Sequence, residues 1–399
     1  MAKDGYSYLI LGAGFQGIAA SYDVILHGGS KRVVLADQSF RNCEFALKKL
    51  RQLLGFFLKK NRIQLLSYAL DASNKKQLQK IMKGNDAVLS ALPYYFNPLV
   101  AQTAIEEKVH YCDLGGYFEM TERILKLDRK AKKAHVTLIP DCGVSPGMCN
   151  SLALCAMEKL TKTESVRIYC GGLPLKPKGP LGYKIVFNLE GVLGNYFGKS
   201  YVLRNGKIKK IASFSEPELI QFERPLKLLE AFVTGGATST CPWTFKGKVK
   251  NYEYKTLRYP GHYEKIQFLK ELGLLDTDPV LLNGNKIIPR KFFVKCVEPV
   301  LKLEQEKDLL VMKVIVAGWK DKKNLEITYD ILEYADSKTG FTAMQRTTGF
   351  SAAIILELLA KNAILETGVV TLERGVPGSL FLKEIRRRGI KVRETIRQI

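Results

Sequence analysis

The first third of the chain alternates short apolar runs with longer stretches of helical spacing. Residues 8–11, 33–36 and 87–89 carry no polar side chain except the hydroxyl of Tyr8. Runs this short and this uniform suit strands buried on both faces of a parallel sheet. The pattern predicts strands over residues 8–11, 32–36, 63–69, 87–91, 109–113 and 136–140. Helices are predicted over 18–27, 41–60 and 75–82, and another from Asn97-Pro98, with Asn as the cap and Pro in the first turn. Strands that alternate with helices in this way make βαβ units and a parallel sheet.

Beyond Gly147 the rhythm changes. A helix is predicted over 150–160 and a strand over 166–170. From there to about Asp336 the pattern is mostly strand-like, with long runs at 309–317 and 325–332. Helical spacing returns over 351–360 and 379–388. The expected fold class is α/β: a Rossmann-type doubly wound parallel sheet plus a second, mixed α+β domain for substrate and dimerisation. The expected domains are 1–145 for a dinucleotide, 146–345 with the mixed sheet, and 346–399 as C-terminal helices returning to the first domain.

The first predicted strand runs into Gly12-Ala13-Gly14-Phe15-Gln16-Gly17, a G-x-G-x-x-G pattern. Gly12 permits a tight turn, Gly14 lets backbone approach a pyrophosphate, and Gly17 lets helix and strand pack closely. The second strand ends at Asp37, twenty residues after Gly17. A carboxylate there accepts from both hydroxyls of an adenine ribose and repels a 2′-phosphate, so NAD is expected over NADP, although Arg41 stands close by. Ligands of open α/β sheets lie beyond the carboxyl ends of the strands. That rule assigns Asp71 to the adenine end, with Phe15 and Gln16 in the glycine turn. Ser90, Ala91 and Leu92 fall to the nicotinamide end, with Tyr94 and Tyr95 beside a substrate.

Charge and cysteine usage narrow the class. Sixty-two basic against 39 acidic residues give a net +23, with a dense basic run from Lys383 to Arg397. No nucleic-acid module accompanies it, so it reads as solvated surface and not as a nucleic-acid interface. The eight cysteines form no C-x-x-C pair, which predicts reduced thiols and no metal. No apolar run approaches the ~20 residues of a membrane span. The first strand begins by Tyr6, too early for a secretory leader to precede it. A cytoplasmic protein, free of membrane, is the expectation.

Several ordered segments together resemble the saccharopine dehydrogenase–like family. They are the glycine turn, Ser90-Ala91-Leu92-Pro93, Asp113-Leu114-Gly115-Gly116, the run from Asp141 to Gly147, and Cys170-Gly171-Gly172-Leu173-Pro174. The family comprises glutamate-forming saccharopine reductases, carboxynorspermidine synthases and lysine 6-dehydrogenases. Phe187-Asn188-Leu189-Glu190-Gly191, residues 235–240 (GGATST) and residues 254–262 (YKTLRYPGH) are most similar to the lysine 6-dehydrogenase branch. The resemblance implies a soluble enzyme acting on an amino acid or polyamine, and a homodimer or higher homo-oligomer. It implies NAD-dependent oxidative deamination of the lysine ε-amine to a cyclising semialdehyde plus ammonia. Imine-reducing C–N bond formation, or dinucleotide binding without turnover, are the alternatives.

Glu190 stands where saccharopine reductases typically carry an arginine, and would suit an ammonium group. Oxidising a C–N bond requires a neutral amine and an activated water, hence a base working near neutral pH. His262 is the first candidate and Asp113 the second. Arg258 is the candidate for the substrate α-carboxylate, because a guanidinium matches that fork. Thr238 and Ser239 offer hydroxyls beside it. Tyr95 would wall the aliphatic stem.

Overall fold

The computed structural model describes residues 5–186, 188–303 and 305–399. Its first part runs β1 (Tyr6–Leu11), α1 (Phe15–His27), β2 (Ser30–Asp37), α2 (Phe40–Lys60), β3 (Gln64–Ala69), α3 (Lys75–Met82) and β4 (Ala87–Ser90). It continues through α4 (Asn97–Glu106), β5 (His110–Asp113), α5 (Phe118–Leu125), α6 (Asp128–Ala134) and β6 (Thr137–Ile139). The strands pair in parallel throughout. Leu9, Ile10, Leu11, Val33, Leu35, Val88 and Leu89 are fully or almost fully buried, as uniform apolar runs demand. Helix starts follow local chemistry: the Ser39 hydroxyl accepts from the Asn42 amide, and the Asn74 side chain accepts from the Gln77 amide. Asn97 departs from expectation. A single 3₁₀ turn, Tyr94–Phe96, precedes α4, so Phe96 occupies the cap and Asn97 lies inside the helix.

The second part begins with α7 (Met148–Met157), β7 (Lys162–Pro174), α8 (Leu189–Gly194), β8 (Lys199–Arg204), β9 (Lys207–Ala212), β10 (Ser215–Gln221) and β11 (Leu228–Val233). Then come α9 (Cys241–Thr244), β12 (Asn251–Arg258), α10 (His262–Glu271), the hairpin β13 (Val280–Leu282) and β14 (Asn285–Ile287), α11 (Pro289–Lys302), β15 (Asp308–Lys320) and β16 (Lys323–Tyr334). The chain closes with α12 (Ala343–Ala360), β17 (Gly368–Val369), α13 (Leu372–Gly375), α14 (Gly378–Arg387) and β18 (Arg393–Gln398). The large sheet runs β10-β11-β12-β7-β15-β16-β18, with β8 joined to β12 and β9 to β8. Only its β12–β7 pairing is parallel, so the sheet is mixed.

The closing segment serves both sheets. Helix α12 is buried along almost its whole length, and a Cβ on Gly349 would lie 2.6 Å from the Cβ of Ala19 on α1. Strand β17 extends the first sheet beside β6, whereas β18 adds an edge to the second beside β16. The tail is therefore not helical alone. Arg388, with no side-chain exposure, donates to Asp23 on α1 and to Glu357 on α12, and Glu384 completes the cluster. The basic run thus contains one deeply buried residue among its exposed ones. Among the described residues no helix is long and apolar enough to cross a membrane.

Candidate functional site

The first sheet is ordered β17-β6-β5-β4-β1-β2-β3, so the strand order reverses between β1 and β4. The glycine turn lies at that switch. Gly12 has φ +103°, and a Cβ there would meet the Ala91 carbonyl at 2.6 Å. A Cβ on Gly17 would lie 1.8 Å from the Gly12 oxygen, which only glycine avoids. Gly14 faces open space, with nothing within 4 Å of its Cβ position, and gives α1 no side-chain cap. The first amides of α1 are left for an anion at the helix's positive end. Phe15 stands exposed above the turn, and the buried Gln16 Oε1 has no partner among the described residues. These features fit a dinucleotide pyrophosphate.

Asp37 is locked at the end of β2. One carboxylate oxygen accepts from the Ala13 amide at 2.9 Å, the other from the Ser39 amide at 2.9 Å and from Asn42 Nδ2 at 3.2 Å. Asp71, beyond β3, accepts from the Ser73 amide and hydroxyl, and the hydroxyl contact holds its carboxyl below the usual range. Its side chain is taken up by its own exposed turn. Ser90 needs correction as a cofactor contact: it is fully buried and donates to Asn97 Oδ1 at 2.8 Å. Ala91 supplies backbone against Gly12, and Leu92 packs on the core behind it. Tyr95 is 59% exposed, while the Tyr94 ring stacks on Tyr117 at 5.2 Å.

Asp113 also differs from expectation. Its carboxylate is buried and accepts from the Tyr111 hydroxyl, the Gly115 amide and the Asp141 amide, at 2.7, 2.7 and 3.0 Å. Burial raises its pKa, and its bonds fix the loop beyond β5 instead of facing a substrate. The neighbouring Asp141, which opens the 141–147 segment, is buried as well. It accepts from the Thr121 hydroxyl and, at 2.5 Å, from Ser239 of the second domain. Burial, then the charge of Asp113, pushes Asp141 up to about 7. Ser239 is thus tied to an acid, and Thr238 donates to the Tyr201 carbonyl at 2.8 Å. Cys142 is buried packing, its thiol directed at the Ile139 and Pro140 carbonyls.

His262 opens α10 with both ring nitrogens engaged. Nδ1 donates to the Leu181 carbonyl at 3.0 Å, and Nε2 accepts from the Tyr196 hydroxyl at 3.2 Å. Burial, then the charge of Arg258, lowers its pKa to about 3, so it stays neutral. It is a positioning residue for Tyr196 rather than the base that sequence suggested. Arg258 Nε donates to the Tyr196 oxygen at 3.1 Å, and Nη1 donates to the Leu257 carbonyl at 2.7 Å. The guanidinium lies 4.8 Å from the Tyr183 ring centroid. Arg258 is only 5% exposed, yet no carboxylate among the described residues forms an ion pair with it. The Tyr183 hydroxyl beside it is also buried, with the Val186 backbone near it. The Glu230 carboxylate, across from Arg258 in the β11–β12 pairing, feels the guanidinium charge, but its oxygens accept from the Gly261 and Tyr263 amides and form no ion pair with it.

Glu190 lies in the first turn of α8 and is exposed, not buried. Phe187 of the same segment lies outside the described residues. The charges of Asp276 and then of Glu190 are felt by Arg290, a residue that sequence reasoning missed because nothing in a Lys/Pro-rich stretch marks it. Arg290 donates to the Leu275 carbonyl at 2.7 Å and lies 4.1 Å from the Phe197 ring centroid, with Tyr94 also within electrostatic range. It forms no ion pair with a carboxylate among the described residues.

A glycine turn at a strand-order reversal, faced by a separate mixed sheet, is the plan of two-domain dinucleotide-binding proteins of the Rossmann class. Family models agree: residues 8–139 match the saccharopine dehydrogenase NADP binding domain, and residues 143–390 the saccharopine dehydrogenase C-terminal domain. The chain belongs to the saccharopine dehydrogenase family. It is similar to the NADP(+), L-glutamate-forming saccharopine dehydrogenase of Saccharomyces cerevisiae, at 26% identity over 65% of this chain and 58% of that one. It is 28% identical to the Pyricularia oryzae protein of the same description, over 53% of this chain and 48% of that one. A third relative is the mitochondrial alpha-aminoadipic semialdehyde synthase of Rattus norvegicus, 24% identical over 78% of this chain and 41% of that one. The matches span about half the length of these relatives. The solved apo structure of the Saccharomyces cerevisiae saccharopine dehydrogenase superposes with a TM-score of 0.75 at 20% identity, covering 98% of this chain and all of that one.

Proposed function

We propose that the chain catalyses nicotinamide-dinucleotide-dependent oxidation of the C–N bond at the ε-carbon of a lysine skeleton, with free lysine as substrate. The observation that carries this reading is Arg258, a buried guanidinium over the Tyr183 ring that forms no ion pair with a carboxylate among the described residues. Gly12, Gly14 and Gly17 would hold the pyrophosphate and Asp37 the adenine ribose. When bound, the dinucleotide supplies hydride acceptance at its nicotinamide. Arg258 takes the α-carboxylate, Tyr183, Tyr94 and Tyr95 wall the aliphatic stem, and Glu190 attracts an ammonium group. The ε-ammonium must lose a proton before a C–H hydride can leave. Asp141, held near neutrality, receives that proton through the Ser239 hydroxyl. Water then adds to the iminium, releasing ammonia and the aldehyde.

Asp37 favours NAD, since both its oxygens are fixed by backbone amides and neither can turn from a 2′-phosphate. The relatives' names point the other way, to NADP. A second substrate reading has its own support: Arg290, within electrostatic range of Glu190, offers a cation for a distal carboxylate, and two of the relatives are named saccharopine dehydrogenases. The test is NAD(P)H absorbance with lysine and saccharopine, each with NAD and with NADP. Turnover of lysine with release of ammonia supports the first reading. Turnover of saccharopine alone, with release of glutamate, replaces it with the second.

A further inference from the structure

A cavity of about 320 Å³ lies away from the dinucleotide cleft, between α2 and the loop that precedes α12. Its walls include Phe45, Lys48, Lys49, Lys338, Thr339 and Gly340. Three lysines therefore border one space, and none forms an ion pair with a carboxylate among the described residues. The nearest loop acid, Asp336, is occupied by the Thr339 hydroxyl and by the Lys338 and Thr339 amides. Lys49 is only partly exposed, with Nζ 4.8 Å from the centroid of the buried Phe341 ring. Partial burial disfavours the charged form of Lys49, and an anion held beside it would offset that desolvation. Gly340 has open space at its Cβ position, which leaves the loop room beside the cavity.

The loop leads directly into the dinucleotide site. Phe341 packs edge-on to Tyr22 of α1, at 5.1 Å between centroids. Thr342 caps α12, and Gln345 Nε2 in its first turn donates to the Phe15 carbonyl of the glycine turn at 3.0 Å. We propose that this lysine-lined cavity is an effector site for a small polyanion, phosphorylated or polycarboxylic, whose binding alters dinucleotide affinity through the loop and Gln345.

Calorimetric titration with inorganic pyrophosphate, and separately with citrate, tests the site. The protein is first saturated with dinucleotide, so that the glycine turn is filled, and sodium chloride matches the ionic strength. Saturable binding to one site per chain is expected. The Lys49→Gln/Lys338→Gln variant should bind about tenfold or more weakly, and Lys49→Arg/Lys338→Arg should retain binding. The stronger arm identifies phosphate or carboxylate as the preferred class. Equal binding by the Gln variant and the wild type, or no saturation above the chloride control, overturns the site. Dinucleotide affinity should respond to the anion in the wild type only. A response of the same size in the Gln variant is competition at the glycine turn and overturns the coupling.

Discussion

Replacing Arg258 with Met separates a binding arginine from a structural one. Met keeps most of the volume and removes the charge. In the folded protein the change removes two hydrogen bonds, to Tyr196 and to the Leu257 carbonyl, and the stacking on Tyr183. Those losses amount to about 1 kcal/mol per hydrogen bond and 1–2 kcal/mol for the cation–π contact. Removing a buried charge returns several kcal/mol of desolvation, about enough to offset them together with the lost attraction of Glu230. The melting temperature should therefore move by less than about 5 °C. Catalysis should respond quite differently. A charge-assisted contact to carboxylate contributes about 1.5–3 kcal/mol, so kcat/KM for the amino-acid substrate should fall roughly 10- to 150-fold. Dinucleotide affinity, measured by fluorescence titration, should stay unchanged. An Arg258→Met enzyme with near wild-type kcat/KM, or one that no longer folds, would refute the reasoning: the arginine would then be scaffold.

The other predictions concern the cofactor, the acids and pH. Asp37→Ser should narrow the preference for NAD over NADP in calorimetry, and a wild type that binds NADP more tightly would reject the role given to Asp37. Glu190→Gln should raise KM for lysine only a few-fold, since an exposed contact is worth about 1 kcal/mol or less; an unchanged KM removes Glu190 from the site. The pKa of His262 is lowered to about 3, so the unfolded chain binds its proton first. Its contribution to stability is present above the unfolded value of about 6.5 and is lost as pH falls toward 3. His262→Asn should flatten that acid limb in denaturant titrations, and an unaltered limb would count against the buried neutral ring. Asp141 has the opposite sign: raised to about 7, it contributes stability at low pH that is lost as pH rises through 7. Asp141→Asn should remove that decline and lower kcat while leaving dinucleotide binding intact; a full kcat would exclude Asp141 as the proton acceptor.

The order of strands and helices in the first domain was legible because each is encoded by neighbours in sequence. Uniform apolar runs read as buried strands, and three glycines at fixed spacing read as a turn that no side chain could occupy. Helix α3 was placed to the residue, and Asp37 was found at the strand end where the spacing put it. The Asn97 cap failed because Ser90, seven residues earlier, claims the side chain that would have capped the helix. Strand β18 was missed because its burial is that of an edge, with mostly exposed side chains. The candidate site was harder still. Residue types marked Arg258, His262, Asp113, Thr238 and Ser239 as capable of chemistry, but partners decide what such groups do. Those partners lie far away in the chain: Tyr196 for His262, Asp141 for Ser239, Leu181 for the imidazole, Arg290 for Glu190. Sequence by itself determined the local turns, the dinucleotide strand–turn–helix and the family. Only the tertiary structure decided which polar groups the protein itself satisfies and which, like the Arg258 guanidinium, it buries without an ion-paired carboxylate among the described residues, because burial and hydrogen-bond partnership arise from packing distant segments together.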